Sequence, residues 1–181
     1  MRRRLFLTGP IGCGKSTAIE TALGTQISQC GGFLTRRHRE PYLHFTLESP
    51  DGTVRETFLD FATGKPEVNL PAFSKVCLQG KVLIMDEIGG IELLNADFVS
   101  ALKTALNSDV PILGVIKGDG PAGALIRTLD LTQEYESAIR QLRQQLMEDP
   151  DTLVHECTQY DKEALRLTRQ WTEEYLHDNL L

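Results

Sequence analysis

Eight residues near the start constrain this chain more than any others. Gly9-Pro10-Ile11-Gly12-Cys13-Gly14-Lys15-Ser16 fit the pattern G-x-x-x-x-G-K-[ST] without a mismatch. The apolar run Leu5-Phe6-Leu7 precedes them, and Lys15 to about Leu23 reads as a helix that stops at Gly24. Glycines let the backbone wrap closely and turn its N–H groups inward as an anion nest. The helix start adds unpaired N–H groups and the positive end of its dipole. A lysine at the position of Lys15 reaches β and γ oxygens, and a hydroxyl at the position of Ser16 ligates Mg²⁺. Gly9 through Thr17 are therefore the expected phosphate-binding residues, for a nucleoside triphosphate with Mg²⁺.

The rest of the chain supplies a frame for such a loop. Phe33 to Thr35 begins a second strand. Tyr42–Leu47 and Val54–Leu59 alternate on either side of the turn Pro50-Asp51-Gly52, which predicts a β-hairpin. Pro71 to Leu78 suits a short helix. Val82-Leu83-Ile84-Met85 and Pro111–Ile116 are continuous apolar runs, as in strands covered on both faces. Asn95 can cap a helix that turns Phe98, Leu102, Ala105 and Leu106 inward. Leu131, Tyr135, Ile139, Leu142 and Leu146 step by three or four, which marks another helix. Leu153–Cys157 reads as a last strand, and Ala164, Leu167, Trp171 and Tyr175 mark a final helix. Strands alternating with helices predict a three-layer α/β/α fold with a mostly parallel sheet. At 181 residues the expectation is one domain over 1–181, with the hairpin inserted at about 33–60.

A second motif sits where the first requires it. Val82-Leu83-Ile84-Met85-Asp86-Glu87 is an apolar strand ending in acids. Asp86 would stand at the C-terminal edge of the sheet and hold Mg²⁺ together with Ser16. Glu87 could then polarise the attacking water. Successive strand residues face opposite ways, so the strand is expected to end at Asp86, with Ile88-Gly89-Gly90 permitting the break. If the 111–116 strand neighbours this one, Lys117 arrives near the γ-phosphate. Arg36, Arg37 and Arg39 follow the second strand and can reach phosphate or a second substrate. Arg36, Arg39 and Arg127 are the candidates for a transition-state arginine, with Lys117 and Lys162 as substitutes. Cys13 reads as a small filler of the loop and His44 as structural.

Composition excludes several alternatives. A net charge of −6 argues against general nucleic-acid binding. No apolar run approaches a membrane span, and the stretch after Arg2-Arg3-Arg4 is too short for a signal-peptide core. Cys13, Cys30, Cys77 and Cys157 lie far apart with no Cys-x-x-Cys pair, so they read as reduced thiols of a cytoplasmic protein rather than as a zinc site. A monomer is expected.

The chain resembles the small P-loop nucleoside-triphosphatase family that includes the cancer-related NTPases of animals, and whose microbial members have also been described as nucleotide kinases. The likeness lies in Phe6-Leu7-Thr8-Gly9-Pro10, Gly32-Phe33-Leu34-Thr35-Arg36, Pro111-Ile112-Leu113-Gly114-Val115 and Val154-His155-Glu156-Cys157-Thr158. Its most specific stretch is Asp86-Glu87-Ile88-Gly89-Gly90-Ile91-Glu92-Leu93, similar to D-E-I-G-x-x-E-L. The chain departs from the family pattern at Arg37, often acidic there, and at Asp161-Lys162, often Asn-Arg. The 61–78 segment looks shortened and the 131–148 helix looks like extra sequence. The resemblance implies a P-loop NTPase fold and Mg²⁺-dependent hydrolysis of ATP- or GTP-type substrates with loose base selectivity. Two other outcomes use the same loop. A kinase would pass the γ-phosphate to an organic acceptor, usually under an arginine-rich lid, and after residue 111 Arg127 stands without a partner for one. A switch would use hydrolysis to time the release of a protein partner.

Overall fold

Strands β1 (Arg4–Thr8), β6 (Leu83–Ile88) and β7 (Ile112–Ile116) are apolar on both faces, and their central side chains are almost wholly buried. Such strands need cover above and below, and helices supply it. The computed structural model describes residues 1–131, 133–159 and 161–176. The remaining elements are α1 (Lys15–Leu23), β2 (Gly31–His38), β3 (His44–Glu48), β4 (Arg55–Asp60), β5 (Glu67–Val68), α2 (Ala96–Leu106), α3 (Asp119–Leu129), α4 (Gln133–Glu148), β8 (Thr152–Glu156) and α5 (Lys162–Tyr175). Eight strands form one sheet in the order β5-β4-β3-β2-β6-β7-β1-β8. β2, β6, β7, β1 and β8 run parallel, while β3, β4 and β5 extend the β2 edge antiparallel.

Alternation along the strands divides the core in two. Phe6, Phe33, Leu83 and Met85 face α2 and α4, packing on Phe98, Leu102, Tyr135, Ile139 and Leu142. Leu5, Leu7, Leu34, Ile84, Leu113 and Val115 face α1 and α5, against Ile19, Leu23, Leu167 and Trp171. The fold is thus the three-layer α/β/α arrangement that the sequence pattern predicts. Trp171 is fully buried, yet its indole N–H donates to the Arg3 carbonyl at 3.1 Å, so α5 is tied to the start of β1 without an unsatisfied donor. At Gly114 a Cβ would lie 2.7 Å from the Phe6 ring, which is why the centre of β7 carries no side chain.

The hairpin turns where expected, at residues 49–54, and Asn95 caps α2 by accepting from the Phe98 N–H at 2.9 Å. The short helix expected over 71–78 is a 3-10 helix, Leu70–Lys75. Two elements differ from expectation. β2 runs on to His38 because β3 pairs with its second half, from Leu34 to His38. Helix α3 was not anticipated at all. Gly120 and Gly123 dilute its propensity, and Pro121 reads as a breaker, but it falls in the first turn, where a missing N–H costs nothing. Among the described residues no helix is long and apolar enough to cross a membrane.

Candidate active site

The order of the strands places the site. β7 lies between β1 and β6, so the loop after β1, the acids of β6 and the residues after β7 meet along the C-terminal edge of the sheet. That edge is where open α/β sheets bind ligands. Gly9, Gly12 and Gly14 all have positive φ, at 129°, 80° and 98°, which only glycine adopts without strain. At Gly9 a Cβ would also lie 2.5 Å from the Cys157 carbonyl oxygen. Lys15 begins α1, as the motif requires, and its ammonium donates to the carbonyls of Gly9 at 3.0 Å and Pro10 at 2.7 Å. Ile11, at the crest of the loop, is 68% exposed.

Ser16 and Asp86 meet across the sheet: the serine hydroxyl donates to Asp86 Oδ1 at 2.9 Å. Asp86 is 1% exposed, and its Oδ2 has no hydrogen-bond partner among the described residues. Burial pushes this carboxyl up to about 7, against the Ser16 hydrogen bond and with a smaller upward push from Glu87. A buried carboxylate oxygen lacking a donor, beside a hydroxyl, is a hard-oxygen site. Mg²⁺ fits that donor set, and zinc with its nitrogen and sulfur ligands does not.

The backbone at Glu87 corrects one expectation. The strand does not end at Asp86 but continues to Ile88. Asp86 pairs with Val115 and Ile88 with Ile116, so Glu87 is an extra residue, a bulge with φ 121°. A bulge re-aims a side chain without ending a strand, which resolves the alternation problem differently from a break. Four contacts hold the turn that follows. Glu92 Oε1 accepts from the N–H groups of Gly89 at 2.5 Å and Gly90 at 2.8 Å. The Tyr135 hydroxyl donates to the Gly89 carbonyl at 2.7 Å, and the Lys117 N–H donates to the Ile88 carbonyl at 2.8 Å. Glu92 is 3% exposed; burial raises its carboxyl to about 7, although the glycine N–H groups and the Lys117 charge pull the other way.

β7 does neighbour β6, and Lys117 is accordingly at the acids: its Nζ lies 2.9 Å from Glu87 Oε2. Arg36 lies beyond the part of β2 that pairs with β6 and forms an ion pair with Glu20 of α1, with Glu48 at 3.6 Å. Its charge is felt at Asp86. Arg37 turns to the other face, 5.9 Å over the Phe45 ring. Arg39, Arg127 and Lys162 are exposed. The sequence reading passed over Arg143 on α4, which donates to the Lys117 carbonyl and pairs with Asp119. It also gave no role to Glu92, although a glutamate three residues after Gly89 is within reach of the freed N–H groups. A separate cavity of about 500 Å³ opens among residues including Arg3, Arg4, Asp109 and Asp149. Its arginines are already paired with Asp109 and Asp149, and it shares no residue with the loop.

Comparison with known proteins agrees with this geometry. A family model described as NTPase matches residues 52–150, which include Asp86, Glu87, Glu92 and Lys117. The chain is 30% identical over 129 residues to the nucleoside-triphosphatase THEP1 of Thermotoga petrophila, covering 63% of this chain and 72% of that one. It is 30% identical over 144 residues to a cancer-related nucleoside-triphosphatase homolog of Mus musculus, covering 64% and 76%. The crystal structure of THEP1 from Aquifex aeolicus superposes with a TM-score of 0.64 at 19% identity, over 90% of this chain and 95% of that one, a likeness of fold. A match spanning more than half the chain, with relatives at this identity and a phosphate loop in register with the sheet, shows that the chain belongs to the NTPase family of P-loop nucleoside-triphosphatases.

Proposed function

We propose that this chain is a single-domain, Mg²⁺-dependent phosphohydrolase that cleaves ATP- or GTP-type triphosphates to diphosphate and phosphate. The observation that carries the reading is the bulge at Glu87, which sets a second carboxylate beside the Asp86–Ser16 pair and against Lys117. The loop N–H groups of residues 9–17 and the Lys15 ammonium hold the β- and γ-phosphates. Ser16 and Asp86 would hold Mg²⁺, which would supply positive charge against the charge that develops on the phosphate oxygens. Glu87 orients a water in line with the γ-phosphorus and takes its proton. The water oxygen bonds to phosphorus while the bond to the β–γ bridging oxygen breaks, and that electron pair leaves with the diphosphate. Lys117, in contact with Glu87, brings positive charge to the same corner.

The loop grips phosphates rather than a base, which supports loose base selectivity. Lys117 stands at the acids themselves, against Glu87, while Arg36 is held by Glu20 and Glu48, so Lys117 is the better supported transition-state cation. Composition supports a cytoplasmic monomer that needs neither membrane nor nucleic acid. The test is phosphate release from several triphosphates, with Mg²⁺ or excess chelator, with and without candidate acceptors, following the γ-phosphate. Release that is independent of acceptor and abolished by chelation is expected. Transfer to an acceptor would make the chain a kinase, release only with a protein partner would make it a switch, and full activity in chelator would reject the metal site.

A further inference from the structure

Two cysteines far apart in sequence meet under the phosphate loop. β8 pairs with β1 in parallel, with Thr8 opposite Glu156, and the Cys157 N–H donates to the Thr8 carbonyl at 2.8 Å. Cys157 therefore lies against the first residue of the loop, close enough that Gly9 has no room for a side chain. From within the loop Cys13 turns back onto the same spot. It packs against the apolar cluster that contains Cys157, and the two thiols lie near enough for Cys13 to raise the Cys157 thiol further. Cys13 Sγ is also 3.6 Å from the Lys15 ammonium. Both cysteines are free thiols; Cys13 is half-buried and Cys157 is 2% exposed.

A base stands beside the pair. A ring nitrogen of His155, the Cys157 sulfur and a carboxylate oxygen of Asp161 all lie within 4.8 Å of one another, and His155 Nε2 is 3.0 Å from Asp161 Oδ2. Asp161 is held at about 2 by the N–H groups of Ala164 and Thr158 and by His155, so it is ionised and orients the imidazole. The cluster does not suit a metal ion, because Asp161 already accepts four bonds, from Thr158, Glu163, Ala164 and His155.

We propose that Cys13 and Cys157 form a reversible disulfide, under peroxide, that closes the phosphate loop to nucleoside triphosphate. Cys13, the thiol that solvent reaches, attacks a peroxide oxygen. An S–O bond forms, the O–O bond breaks, and with the thiol proton one water is released, leaving a sulfenic acid. The Cys157 sulfur then attacks the Cys13 sulfur, the S–O bond breaks, and the Cys157 proton passes through His155 to the departing hydroxide, giving a second water. In sum, two thiols are oxidised by two electrons and one hydrogen peroxide is reduced to two waters. Burial raises the Cys157 thiol to about 12, which suits it to the second step rather than the first. A disulfide holds its sulfurs at about 2.05 Å, so closing it draws them together by at least roughly 1.5 Å from non-bonded contact. A phosphate nest tolerates displacements of only about 0.5 Å, so the tied loop cannot hold its ligand. The effect on nucleotide rests on the phosphate-binding reading of residues 9–17; the disulfide does not.

The test uses the full reduced chain, hydrogen peroxide as oxidant and a fluorescent Mg²⁺-triphosphate analogue as probe. Peptide mapping should find Cys13 joined to Cys157 with the loss of two hydrogens. Probe affinity should fall at least about tenfold, as expected when loop donors lose their geometry, and dithiothreitol should restore it. Prior saturation with the probe should slow the cross-link. In Cys157→Ala the cross-link should vanish, and oxidation should instead drive Cys13 towards sulfinic acid, which dithiothreitol does not reverse. Separate oxidation of Cys13 in the wild-type chain without a cross-link would overturn the disulfide. A cross-link that leaves probe affinity unchanged would overturn the closure. A reduced chain that binds no triphosphate would refute the functional reading alone, with the mapped cross-link still deciding the chemistry.

Discussion

Replacing Glu87 by glycine should give a more stable protein than replacing it by alanine, the reverse of the usual order. The backbone at Glu87 has φ 121°, where an L side chain is strained and glycine is not. Such a conformation costs about 1–3 kcal/mol. Both variants lose the ion pair with Lys117, so that contribution cancels between them. Glycine loses about 0.5–1 kcal/mol relative to alanine through its freer unfolded chain. The difference leaves Glu87→Gly ahead by about 0.5–2 kcal/mol. For a chain of this size that corresponds to a Tm roughly 1–8 °C higher. Thermal and urea unfolding of the two variants at one pH measure it. Both should also hydrolyse triphosphate at least about a hundredfold more slowly, because the water-activating carboxylate is gone. If alanine equals or exceeds glycine in stability, the bulge is not strained and the account of how Glu87 is aimed fails. If the alanine variant keeps wild-type hydrolysis, Glu87 is not the base, whatever the unfolding curves show.

Three further outcomes follow from the same geometry. Lys15→Ala should keep the fold, since its ammonium bonds only loop atoms, but lose turnover and weaken Mg²⁺-triphosphate binding; wild-type turnover would remove the phosphate cradle. Lys117→Ala should keep triphosphate binding within a few-fold but slow hydrolysis at least about tenfold, because it loosens Glu87 and withdraws a cation that in P-loop enzymes contributes up to about 10³–10⁵-fold; an unchanged rate would leave Lys117 a structural partner. Glu92 has a folded-state value near 7, above its ordinary 4.5, so between those values the folded chain holds a proton that the unfolded chain has lost. Glu92 should therefore make stability fall by about 2–4 kcal/mol as pH rises from about 4.5 to 7, beside a fall of the same sign from Asp86, also raised to about 7; Glu92→Gln, which still accepts from Gly89 and Gly90, should remove the Glu92 part and leave the Asp86 part, and an unchanged slope would clear Glu92 of it.

Most of the fold was legible because buried parallel strands and amphipathic helices write different periods into sequence. Val82–Met85 and Ile112–Ile116 have no polar alternation, and Leu131 to Leu146 repeats by threes and fours. Helix α3 was not legible, since its glycines and Pro121 locally argue against a helix that tertiary packing of Ala122, Leu125, Ile126 and Leu129 stabilises. The glycine turn before α1 and the meeting of Ser16 with Asp86 were legible because the motif requires particular residue types at fixed spacing. Tyr135 and Arg143 were not, because each acts on a backbone group of a distant segment, and Glu92 was not, because the Gly89 and Gly90 N–H groups it accepts from come free only through the bulge. A bond from a side chain to a carbonyl 46 residues away leaves no spacing to recognise.

The strand order explains why those unread residues converge. Were β6 beside β1, the loop and Asp86 would still meet, but nothing after β7 would lie between them. With β7 inserted, Lys117 leaves the sheet next to Glu87, and its N–H closes onto Ile88 at the point where the bulge has freed a carbonyl. The same residue thus caps the bulge through its backbone and pairs with the bulged carboxylate through its side chain. α4 then adds a second tie on each side of that corner, Tyr135 to Gly89 and Arg143 to the Lys117 carbonyl. Helix α4 is in this chain the element that bears on the corner from outside the sheet. Its loss would release two of the ties on the segment that aims Glu87 while leaving the loop, Ser16 and Asp86 untouched. The phosphate binding and water activation proposed for this chain therefore rest on separable parts of the fold, the first on β1 and α1, the second on β6, β7 and α4.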